Sequence, residues 1–247
     1  MEGLVLITQY TFLVSVLAMA GGTAYFWLER DAVAQEFRPA VVVAGIYTAV
    51  AAFMYWQMHL TVGLNGDIEQ LLAMPTHVRY IDWIVTTPLI LVTIGLLLQL
   101  QERRLSLLGI VVAVDILMIV FGYFGEIFSG MEFKQFEAWT MFGLSFISYL
   151  MLLYLLTQFF GEAAQDKAAP VKRAFKYMVL FIVIGWMVYP LGFILGLVSD
   201  AEVAKVLREL VYNIADIINK VGLGIVVFVT AKSITRDAEI KEAMRNL

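Results

Sequence analysis

Seven blocks of apolar residues divide the chain, at 5–28, 39–60, 76–99, 105–126, 136–160, 174–197 and 206–231. A helix rises ~1.5 Å per residue, so about 20 apolar residues cross a hydrocarbon layer ~30 Å thick. Each block meets that length. The polar positions are gathered between blocks in short runs such as ERDAVAQEFRP (29–39), QERR (101–104) and GEAAQDKAAPVKR (161–173). None of these is long enough for a soluble domain. The pattern predicts an all-α membrane protein, a bundle of seven transmembrane helices forming one domain over residues 1–247. The N-terminal stretch MEGLVLITQY has no basic region, and the first block is long enough to span, so no signal peptide is expected.

Composition agrees with this reading. Hydrophobic residues make up 61% of the chain and charged residues 15%, against about 25% charged in a typical soluble domain. There is no cysteine, which excludes disulfides and thiol chemistry. A net charge of −4 gives no footprint for nucleic acid. His59 and His77 are the only histidines, so no dedicated metal site is expected. Both fall near the connection between the second and third blocks, where solvated loop histidines are the expectation.

The placement of charge sets the orientation. One set of connections, with the C-terminal tail, holds Arg30, Arg38, Arg103, Arg104, Lys167, Lys172, Arg173, Lys176, Lys232, Arg236, Lys241 and Arg245. The opposite set holds Lys134, Lys205 and Arg208, together with acids that include Asp67, Glu69, Glu126, Glu132, Glu137, Asp200, Glu202 and Glu209. Basic connections favour the cytoplasm. The C-terminus is expected there, and after seven crossings the N-terminus outside.

Five charges remain inside the blocks: Arg79, Asp82, Asp115, Asp216 and Lys220. Ionisable groups at membrane depth are costly and usually paired and functional. Lys220 lies ~20 Å along the last block, too deep for its stem to reach the interface easily. Asp216, four residues earlier, shares its helix face. A buried ion pair without further role is one reading. The other is an amine held in an apolar pocket so that it condenses with an aldehyde. Asp82 is then a candidate counter-charge. Arg79 is one turn away, Thr86 lies on the same face, and Thr93 is ~16 Å further along it. Pro88 falls mid-block, where it can kink a membrane helix. Trp83, Trp139, Trp186 and Tyr189 also lie inside blocks. Ordinary packing explains any one of them, but with Lys220 they outline a slot for a flat conjugated ligand. Spacing alone does not name that ligand.

Three motifs carry a resemblance. RYIDWIVTTPL in the third block is similar to the arginine-tyrosine-x-aspartate-tryptophan-x-x-threonine pattern of microbial (type 1) rhodopsins. GWMVYPLG in the sixth block resembles their tryptophan-x-x-tyrosine-proline, and VYNIADIINKVGLG in the seventh their aspartate-x-x-x-lysine. FWLERD, VFGYFGE and YNIADIINK resemble the proteorhodopsin branch. The resemblance covers essentially the whole chain. It implies all-trans retinal on Lys220 as a protonated Schiff base, with Asp82 as primary counter-ion and proton acceptor and Asp216 as second counter-ion. Thr86 would support Asp82 by hydrogen bonding, and Arg79 would gate or stabilise the outward side. Trp83, Trp139, Trp186 and Tyr189 would clamp the polyene, with Thr87, Met118 and Gly122 in the wall. Ile90 occupies the colour-tuning position, where an apolar residue implies green rather than blue absorption. Asp115 would join Thr87 in a clasp between the third and fourth helices. The resemblance further implies a multi-pass protein of a bacterial inner membrane, assembled as a pentamer or trimer.

The chain departs from the pattern at two places. Thr93 stands where outward proton pumps of this type carry an aspartate or glutamate that returns a proton from the cytoplasm. No other acid lies on that side until Glu29, Glu102 and Glu162 at the helix ends. In the second block, Tyr55 stands where many relatives place a histidine partner of the acceptor. Glu126 and Glu209 are candidates for proton release. Three functions compete: an outward proton pump without an internal carboxylic donor, a photosensor signalling through a partner, and an inward proton pump. Retention of Asp82, Thr86 and Asp216 favours the first. The protein is not expected to be an enzyme.

Overall fold

The computed structural model describes residues 1–199 and 201–246, with the side chains of 102–104 left aside. Asp200 and the side chains of Glu102, Arg103 and Arg104 therefore lie outside the described residues. Seven described helices are long and apolar enough to cross a membrane: Glu2–Ala32, Arg38–Val62, Thr76–Leu97, Leu105–Ser129, Gln135–Gln165, Ala169–Val198 and Glu202–Arg245. They are referred to as the first to seventh helices. The protein is an all-helical seven-span bundle.

Two ends differ from the sequence boundaries for identifiable reasons. The third helix stops at Leu97 rather than residue 99 because Gln99 takes a positive φ of 47°. Leu100 N–H then bonds back to Gly95 O at 3.2 Å, a six-to-one closure that ends a helix. The seventh helix continues to Arg245 instead of fading into a tail at 231. Its last stretch, AKSITRDAEIKEAMR, has no glycine or proline and is rich in good helix formers.

The third and seventh helices are the most enclosed, with 56% and 50% of their most apolar window buried, against 17% for the fourth and fifth. They form the centre of the bundle and carry Arg79, Asp82, Asp216 and Lys220, so these groups meet inside protein rather than lipid. Exposed apolar side chains such as Leu17, Phe53, Ile147 and Leu191 cover the outside, as a lipid-facing surface requires. Glycines let the sixth helix approach the seventh closely. A Cβ at Gly192 would stand 2.5 Å from the Tyr212 ring, and one at Gly185 would fall on the Asn219 amide. At the end carrying the 63–75 connection, Leu71 packs into a cluster with Val5, Phe12, Tyr55, Met58, Val62 and Val206. Gln9 ties this connection down, donating to Val62 O at 2.7 Å and accepting from Gly66 N at 2.8 Å.

Candidate functional site

Lys220 sits in a π-helical turn, Ile218–Gly222, that interrupts the seventh helix. Such turns displace backbone carbonyls from the regular ladder and recur at functional sites. Here the Tyr47 hydroxyl, fully buried, donates to Lys220 O at 3.1 Å. The Lys220 Nζ stands 2.5 Å from Asp82 Oδ2 and 2.9 Å from Asp216 Oδ2. All three side chains are buried. Breaking such a pair by removing one partner leaves an uncompensated buried charge.

The two carboxylates are held differently. Both oxygens of Asp216 are engaged. Tyr189 OH donates to Oδ1 at 2.5 Å, Tyr55 OH to Oδ2 at 2.8 Å, and Trp83 Nε1 to Oδ1 at 3.3 Å. Asp82 accepts from Lys220 at Oδ2, and among the described residues no protein donor reaches its buried Oδ1. One acid is thus fixed by three protein donors besides the lysine, and the other is held by the lysine.

A second charged cluster adjoins the first on the side of the 63–75 connection. Arg79 donates from Nη1 to Tyr55 OH at 3.2 Å and from Nη2 to Glu209 Oε2 at 2.7 Å and Asn213 Oδ1 at 3.0 Å. Its guanidinium carbon lies 5.5–5.8 Å from the ring centres of Phe12, Tyr55 and Tyr212. Arg208 bridges Glu209 at 3.2 Å and Glu126 of the fourth helix at 2.9 Å. Charges therefore alternate in sign from Glu126 to Lys220, with Tyr55 linking the outer and inner halves.

Beside Lys220 lies a cavity enclosing roughly 800 Å³ of empty space, part of it open to the exterior. Trp83, Thr87, Ile90, Met118, Gly122, Trp186 and Tyr189 line it. Gly122 forms a cradle, since a Cβ there would stand 3.3 Å from Ser145 Oγ and 3.4 Å from Tyr80. Thr87 Oγ1 donates to Asp115 Oδ2 at 2.7 Å, joining the third and fourth helices.

Two expected placements are corrected. Trp139 does not line the cavity. It is 44% exposed, one turn short of the inward face formed by Phe142, Ser145, Phe146 and Tyr149. Thr86 does not bond to the Asp82 carboxylate. Its hydroxyl turns back to the Asp82 backbone carbonyl at 2.9 Å, the local bond open to any threonine in a helix. Tyr55, at the position where many relatives place a histidine, donates to Asp216 and accepts from Arg79. Thr93 is buried and donates to Leu89 O at 2.8 Å, and Pro88 lies within the third helix without ending it. The ring of His59 packs against Trp56 with centres 5.8 Å apart. Among the described residues no group of three or more histidine, cysteine or acidic side chains is arranged to hold a metal.

Several residues of the site are not marked out by the sequence. Tyr212 and Asn219, which line the cavity, and Asn213, which accepts from Arg79, lie on the Glu209–Asp216–Lys220 face, at the three- and four-residue steps that mark one side of a helix. Phe142, Ser145, Phe146 and Tyr149 follow the same periodicity on the fifth helix. That signal was present, but an apolar stripe does not say whether it faces a cavity or a neighbour.

A family model described as bacteriorhodopsin-like protein matches residues 6–234. The green-light absorbing proteorhodopsin of gamma-proteobacterium EBAC31A08 is 30% identical over 223 residues, covering 90% of this chain and 85% of that protein. Sensory rhodopsin-2 of Natronomonas pharaonis is 30% identical over 220 residues, covering 89% and 87%. The crystal structure of Exiguobacterium sibiricum rhodopsin superposes with a TM-score of 0.87 at 40% identity, covering 94% of this chain and 98% of that one. With its seven apolar helices, the chain is a multi-pass membrane protein belonging to the bacteriorhodopsin-like family.

Proposed function

We propose that the protein is a light-driven outward proton pump that binds all-trans retinal on Lys220. The observation that carries this reading is a buried lysine facing two acids that are held unequally: Asp216 accepts from Tyr55, Tyr189 and Trp83 besides Lys220, while among the described residues the Asp82 carboxylate accepts from Lys220. The cavity fits the ligand class. It has flat aromatic walls at Trp83, Trp186 and Tyr189, a glycine cradle at Gly122, and an end at a buried amine. When bound, retinal supplies a light-isomerised polyene whose Schiff-base linkage to Lys220 carries the transported proton. The Nζ in this structure stands in for the nitrogen of that linkage.

The residues divide the work as follows. Asp82, 2.5 Å from Nζ, receives the proton. Asp216 remains a fixed negative charge because Tyr55, Tyr189 and Trp83 all stabilise its ionised form. Arg79 balances the pair from the outward side and connects it to Glu209 and, through Arg208, to Glu126. On the inward side Thr93 has no proton to give near neutral pH, so the return proton comes from the cytoplasm through water. We place the C-terminus in the cytoplasm and the protein in a bacterial inner membrane, as a homo-oligomer.

Thr93 also supports a second reading, a photosensor acting through a partner. A missing internal donor slows the return to rest, and slow return suits signalling. Adding all-trans retinal to membranes that hold the chain tests the binding step common to both readings. A visible absorption band is expected, and Lys220→Ala is expected to abolish it. A band that survives in Lys220→Ala would overturn the assignment.

A further inference from the structure

The sixth helix contains its own π-helical turn, Phe181–Gly185, immediately before Trp186. The register of backbone bonds slips there. Trp186 N–H is shared between Phe181 O at 3.2 Å and Ile182 O at 3.3 Å. Carbonyls displaced in this way need a partner from within the protein, because hydrocarbon offers none. The partner is Tyr149 of the fifth helix. Its hydroxyl stands 2.9 Å from both Ile182 O and Val183 O. A hydroxyl carries one proton, so it serves one of these carbonyls at a time and spans both. Tyr149 is buried and lines the same cavity as Trp186, but its polar atom faces the helix backbone.

We propose that Tyr149 is a positioning residue whose hydroxyl ties the widened turn of the sixth helix to the fifth, fixing the height and rotation at which Trp186 meets the cavity. Tyr47 forms the corresponding tie in the seventh helix, through Lys220 O. The two tyrosines thus hold the two widened turns that present Lys220 and Trp186. The effect on a bound chromophore rests on the retinal reading above, whereas the tie itself does not.

Tyr149→Phe removes the hydroxyl and keeps the ring. In the full chain in lipid nanodiscs without retinal, amide exchange over residues 181–187 should accelerate about five-fold or more, the factor carried by one net hydrogen bond. Exchange over 218–223 should stay unchanged. Tyr47→Phe should show the reverse, and with retinal present Tyr149→Phe should displace the absorption maximum. Unchanged exchange at 181–187, or acceleration spread evenly over all helices, would overturn the tie. Local acceleration with an unmoved absorption maximum would overturn its link to Trp186. If the wild-type chain forms no pigment, the retinal reading fails while the exchange data still decide the tie.

Discussion

At the scale of single residues, the site is organised by how many donors each oxygen receives. Asp216 accepts from Tyr55, Tyr189, Trp83 and Lys220, whereas among the described residues the Asp82 carboxylate accepts from Lys220. Asp82→Asn should therefore abolish light-driven transport while leaving retinal binding intact, as measured by absorption and by pH change in the same membranes. Transport at the wild-type rate would contradict the acceptor role. Thr93 sets the opposite side. If the returning proton comes from bulk water, recovery of the resting pigment after a flash should slow as pH rises, because proton concentration falls ten-fold per unit. Flash photolysis between about pH 5 and pH 9 reads this directly, and a recovery rate independent of pH would remove the idea. Thr93→Glu places a carboxyl in the buried wall and should speed recovery at neutral pH. The aspartates, the lysine and the threonine were all legible in the sequence, because a charge or an unexpected polar residue stands out in an apolar block. The hydrogen-bond geometry was not. Thr86 was expected to support the Asp82 side chain, and its hydroxyl turns to the Asp82 backbone carbonyl instead.

At the scale of elements, the third and seventh helices bring the chemistry together, while the fourth, fifth and sixth build the wall. The Thr87–Asp115 bond locks the third helix to the fourth. Thr87→Val should lower stability by about 1–3 kcal/mol, the usual cost of stranding a buried polar partner. The midpoint of thermal bleaching would register it, and an unchanged midpoint would mean the clasp contributes nothing. Gly192→Ala pushes a methyl into the Tyr212 ring and should cost about 1–3 kcal/mol through overpacking. Helix number and approximate limits followed from hydropathy alone. The widened turns at Phe181–Gly185 and Ile218–Gly222 did not, because a one-residue slip leaves no compositional mark. Trp139 illustrates the same limit. It is one turn from residues that do line the cavity, and periodicity alone did not show that it faces outward.

At the scale of the whole molecule, charged side chains form one connected path from Lys220 to Glu126, buried at the lysine and half-buried at Arg208 and Glu126. An apolar cluster around Leu71 occupies the neighbouring part of the same end. Basic residues concentrate at the opposite end, which supports the proposal that this end faces the cytoplasm. The absence of native cysteine makes this easy to check. A single cysteine introduced at Ser233 should react with a membrane-impermeant reagent only after cells are opened. Labelling of intact cells would reverse the assigned orientation. Direction of transport is the central claim, and it is read most directly from light-induced pH change in a suspension of cells expressing the protein with retinal. Acidification of the medium that an uncoupler abolishes is expected. Uncoupler-sensitive alkalinisation, or no change at all from a coloured pigment, would contradict it.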